Sequence, residues 1–126
     1  MNSLNLSSFI DKLWDHSIVP TLKNYIQIPN KSPMFDSQWM QNGYMDKAVE
    51  LFVAWAKENA PIGMSIEVLR EPNKTPLIFI EVPGTEPETI LLYGHLDKQP
   101  EMEGWTLGTG PWLPVIKEDK LYGRGG

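Results

Sequence analysis

The chain has 126 residues, enough for one small domain with its own apolar core. A net charge of −5 argues against nucleic acid or an anionic membrane as a partner. With no cysteine there are no disulfides and no thiolate metal sites, so any metal must be held by His and carboxylate ligands.

The first residues, MNSLNLSS, lack the basic start and continuous apolar stretch of a signal peptide, and no apolar run approaches the roughly 20 residues of a membrane span. A cytoplasmic location is the expectation. Ser8 followed by Asp11 has the form of a capping box, predicting a helix start there. Phe9 and Leu13, with Ile10 and Trp14 alongside, form an apolar stripe at helical spacing. Pro20 disrupts a helix interior but suits a first turn, so a first helix to about His16 is followed by a second, or a kinked continuation, from about Val19 to Gln27. Leu22, Tyr25 and Ile26 are its buried face, and His16 lies on the polar side as a solvated residue. Residues 28–33, IPNKSP, read as a turn with a structural role.

Residues 38–59 carry the strongest helical pattern, with Tyr44, Ala48, Leu51, Phe52 and Trp55 at three- and four-residue steps. Gly43 weakens its first part and Pro61 ends it. The aromatic and Met positions read as core. Residues 64–69 alternate as a half-exposed strand, residues 71–74 turn, and residues 77–82 give a second strand, the two pairing as a hairpin.

Residues 90–93, ILLY, form an unbroken apolar run that reads as a strand buried on both faces, as in parallel sheets. Such sheets bind ligands beyond the carboxyl ends of their strands, where Gly94 releases the chain and His95 follows. In extended backbone, residues two apart share a face. Asp97 is therefore placed to accept the second ring N–H of His95, fixing its tautomer and raising its basicity toward a metal. The plain alternative is a His and an Asp in a polar loop, because zinc takes three or four protein ligands. Beyond it, Trp105 and Trp112 read as packed, Glu101 and Glu103 as solvated, and residues 115–122 as a hairpin around Glu118-Asp119. Arg124 reads as a structural salt-bridge partner.

GHLDKQP after the apolar run, then Gly104-Trp105, Gly110-Pro111 and LYGRGG at 121–126, resemble in order and spacing the dizinc metallopeptidase family. That family comprises carnosinase-type dipeptidases, ArgE- and DapE-type deacylases, aminoacylase and the carboxypeptidase G group. The similarity reaches back to YIQIPNKSP at 25–33, and HLD-x-QP is closest to the dipeptidase branch. The resemblance implies an α/β fold, with N-terminal helices packed on a mixed β-sheet in a partial zinc-peptidase catalytic domain. Residues 1–126 would be its N-terminal part, ending before the Asp that bridges the metals in the family and without the lid or dimerisation domain. It makes His95 a metal ligand and Asp97 the catalytic acid that clamps the imidazole. It also implies two zinc ions, with manganese or cobalt as substitutes, and a homodimer for the full-length enzyme. The implied reaction is hydrolysis of a peptide or amide bond next to a free carboxylate, in a small peptide or N-acyl amino acid. The 126-residue chain alone is expected to be inactive, since the other ligands and the general base lie later in family members. The alternative is a non-catalytic fragment or interaction module that pairs through an open sheet edge.

Overall fold

The computed structural model describes residues 3–125. Two compact units form, one from Met1–Pro29 with Gln99–Gly126, the other from Asn30–Lys98.

In the first unit, helix α1 (Ser3–Leu13) runs through a π-helical turn (Trp14–Ile18) into α2 (Val19–Ile26). The interruption expected at Pro20 takes this form. Pro20 sits in the first turn of α2, and the N–H of Val19 reaches back five residues to the carbonyl of Trp14, widening the turn. Because α1 begins at Ser3, Ser8 lies inside it and the expected capping box is not used. A four-residue pattern yields when the preceding residues are themselves helical. Tyr25 and Ile26 are buried as expected, whereas Phe9, Ile10 and Trp14 stay exposed.

Strands β1 (Ser65–Leu69) and β2 (Leu77–Glu81) belong to the second unit, and β3 (Val115–Lys117) and β4 (Lys120–Tyr122) to the first. The β3–β4 hairpin pairs Val115 with Tyr122 and Lys117 with Lys120. Its turn residues, Glu118 and Asp119, both take positive φ, 52° and 58°, the geometry whose twist matches the strands. Just beyond β4, Gly123 has φ +150°, and a Cβ there would overlap Ile26 Cγ2. Glycine is what lets the chain pass over this fully buried isoleucine.

In the second unit, the carboxylate of Asp36 accepts from the backbone N–H of Gln38 (3.1 Å) and the amide of Asn42 (2.9 Å), tying down α3 (Trp39–Asn42). Gly43, at φ 67°, then separates α3 from α4 (Tyr44–Glu58). The predicted single helix is thus two, since a left-handed residue cannot continue the hydrogen-bond ladder. The buried face of α4 is Met45, Ala48 and Val49, with Tyr44, Leu51, Phe52 and Trp55 half-buried. The hairpin of β1 and β2 is antiparallel in the register Ser65↔Glu81 to Leu69↔Leu77. Ile66, Val68 and Ile78 turn to its more covered face, in the predicted alternation. Arg70, just after β1, donates to Asp46 of α4 at 2.6 Å.

The class is α/β, but the strands make two separate antiparallel pairs rather than one mixed sheet. Outside these strands, a parallel bridge joins Lys31 and Lys98. Residues 90–93 also differ from expectation: among the described residues they join no ladder, and each is 85–88% exposed. A strand covered on both faces is held by ladders at its edges and by layers above and below. Here β1 and β2 pair only with each other, so the run meets neither requirement.

Candidate functional site

His95 and Asp97 come together as their spacing predicts. The ring Nδ1 of His95 lies 3.0 Å from Asp97 Oδ1 and 3.0 Å from the backbone carbonyl oxygen of Asp97. Both oxygens are acceptors at neutral pH, so a proton must sit on Nδ1 for the contacts to be attractive. Nε2 then carries the lone pair and makes no hydrogen bond among the described residues. The His95 side chain is 65% exposed and that of Asp97 33%, so the pair stands at the surface with its carboxylate the more covered half.

Both line a cavity of about 840 Å³ within the second unit. Its walls are apolar, with Met45, Phe52 and Trp55 from α4 and Ile78 and Ile80 from β2. That size falls in the range of small-molecule sites, in which a few polar groups are set into an apolar lining.

The turn bearing the pair is anchored from below. Asn30 Nδ2 donates to the carbonyl of Leu96 at 2.7 Å. The N–H of Lys98 donates to the Asn30 carbonyl at 2.9 Å, and the N–H of Ser32 to the Lys98 carbonyl at 2.9 Å. Lys98 is 3% exposed, and burial lowers its pKa from 10.5 to about 7. Sequence reasoning left both residues without a part in the site. Asn30 was legible only as a turn former, and no one-dimensional signal says that a motif lysine points inward.

The remaining candidates stay apart. Among the described residues, no three His, Asp or Glu side chains lie where they could share a metal ion. His16 Nδ1 contacts the carbonyl of Lys12 on its own helix at 3.0 Å. Glu101 offers its backbone carbonyl to Trp105 Nε1 (2.9 Å), which leaves Trp105 half-buried, and Trp112 is half-buried as well. Arg124 donates through Nε to the carbonyl of Pro100 (2.9 Å), so its structural role runs through a backbone oxygen and not the expected salt bridge. No described helix is long and apolar enough to cross a membrane.

No protein-family model matches the chain. Individual proteins do. An uncharacterized metallohydrolase of Methanocaldococcus jannaschii is 40% identical over 50 residues, covering 40% of this chain and 12% of the relative. The succinyl-diaminopimelate desuccinylase of a Sulfurovum species is 40% identical over 48 residues, 38% of this chain and 12% of that protein. The human β-Ala-His dipeptidase is 28% identical over 123 residues, 93% of this chain and 24% of the enzyme. The chain is thus similar, in part, to a metallohydrolase, a desuccinylase and a dipeptidase. It spans about an eighth to a quarter of the length of these relatives. At this identity and coverage the likeness supports the broad metallopeptidase grouping.

Proposed function

We propose that this chain carries the first-ligand portion of a zinc-dependent hydrolase of the dipeptidase or carboxypeptidase kind. Its substrates would be small peptides or N-acyl amino acids, cleaved at the peptide or amide bond next to a free carboxylate. The observation that carries the proposal is the His95–Asp97 contact, which holds the proton on Nδ1 and leaves Nε2 as a lone-pair donor on a residue that lines a cavity. The names of the metallohydrolase and dipeptidase relatives point the same way.

The donor set fits one coordination position and its orienting carboxylate. Zinc, when bound, acidifies a water and polarises a carbonyl. His95 would hold it through Nε2, and Asp97 would keep the ring in the ligating tautomer and make it more basic. One donor is fewer than the three or four that zinc takes from protein, so the 126-residue chain by itself should hydrolyse nothing and bind the ion weakly. A cytoplasmic location is proposed alongside it, on the sequence expectation alone.

The test is a zinc titration of the chain followed by imidazole NMR, with His16 as the internal reference. The His95 resonances should move while those of His16 stay, and Asp97→Ala should weaken the response about 10- to 100-fold. A His95 ring indifferent to millimolar zinc removes the metal assignment, and dipeptide hydrolysis by this chain would overturn its expected inactivity.

A second reading is favoured by the bare apolar run at residues 90–93. In it the chain is a non-catalytic interaction module whose unpaired strand edges and exposed aliphatic groups take up another chain.

A further inference from the structure

Asn30 is 1% exposed, inside a segment that composition alone marks as a turn. Its amide reaches 66 residues along the chain to the carbonyl of Leu96. Since that partner can only accept, the contacting atom is the Nδ2 donor. The Leu96 carbonyl belongs to the peptide that leads into Asp97, so holding it sets the plane from which Asp97 departs. Both Asp97 atoms that meet His95 Nδ1, its Oδ1 and its carbonyl oxygen, are carried on from that plane. The backbone bonds between Asn30 and Lys98 and between Lys98 and Ser32 close the same turn on its far side.

The other half of the Asn30 amide is unrewarded. Oδ1 is buried with no hydrogen-bond partner among the described residues. A buried acceptor left so bears the cost of its lost water, which an aliphatic side chain of similar volume would avoid. Asparagine is therefore a poor choice for packing at this position, and the orientation of the Leu96–Asp97 peptide is what it provides in return.

We propose that Asn30 is a positioning residue: by fixing the Leu96–Asp97 peptide it holds Asp97 against His95 and so selects the ring tautomer that presents Nε2 to a metal. The proposal rests on the reading of His95 as a ligand. Ring ¹⁵N shifts of the 126-residue chain at pH 8 report the tautomer directly. In the wild type His95 should be almost wholly Nδ1–H. In Asn30→Asp, close in shape but without the donor, and in Asn30→Ala, the Nε2–H form should become substantial. Zinc affinity read from the same resonances should fall about tenfold or more. Unchanged α4 and His16 resonances would show that the fold survives.

Variants that fold and keep the wild-type tautomer balance would overturn the proposal. If the variants do not fold, exchange of the Asn30 side-chain amide in the wild type decides instead. Exchange as slow as that of the Lys98 and Ser32 amides supports the clamp, and exchange at the solvent rate sinks it. A wild-type His95 that holds its tautomer but ignores zinc would remove the metal reading and leave the positioning role to stand or fall on the shifts.

Discussion

Lys98 shows what a single residue of this motif contributes beyond chemistry. Lys98 is buried at 3% exposure, and this desolvation lowers its pKa from 10.5 in the unfolded chain to about 7 in the folded protein. Between those values the unfolded state binds more protons, and stability must rise as pH rises from about 7 to about 10.5. At and below pH 7 the full cost of burying the charge is felt. Lys98→Met keeps an unbranched side chain and removes the charge. Denaturant melts should find the variant about 1 kcal/mol or more above wild type at pH 7, with the gap closing toward pH 10. Parallel pH profiles for the two proteins would refute this. Lysine was readable in the sequence, but its burial was not, because that depends on a segment far off in the chain, to which its backbone is bonded at Asn30 and Ser32.

The local elements were the most legible part of the chain. The β3–β4 hairpin falls at the expected residues, since alternation and a two-residue connection depend on neighbours in sequence. Its turn nevertheless uses Glu118 and Asp119 at positive φ, where both pay for a Cβ and two like charges adjoin. Replacing the pair by Asn-Gly, the residues this turn geometry favours, should stabilise the protein by about 0.5–1 kcal/mol in thermal melts. No gain would mean that the turn is of another type. Helix α4 was legible for the same reason, and its partition from α3 was partly so: Gly43 signalled weakness, while its φ of 67° came only with the structure.

For the molecule as a whole, the salient property is apolar surface without a partner. Residues 90–93 are 85–88% exposed, and Leu77 and Phe79 on β2 are about half exposed (54% and 49%). Such surface normally marks a contact with other protein. The purified chain should bind an apolar dye and show concentration-dependent association in sedimentation velocity. Leu91→Lys should reduce both, by placing a charge in the middle of the run. A clean monomer with no dye binding would count against the interaction reading and leave the hydrolase reading untouched.

The α/β class came from the family resemblance; taken alone, the sequence determined the β1–β2 and β3–β4 hairpins, the stretch of residues that become α3 and α4, and the nearness of Asp97 to His95. Each follows from forces acting over a few residues: periodic burial, turn geometry and the reach of a carboxylate to a ring two positions away. Only the tertiary structure decided that the ILLY run lies outside any sheet, that Ile26 requires a glycine at 123, and that Asn30 spans 66 residues to hold Leu96. An apolar pattern states which surroundings a segment favours. Whether those surroundings exist depends on residues far off in the chain, and no local pattern contains them.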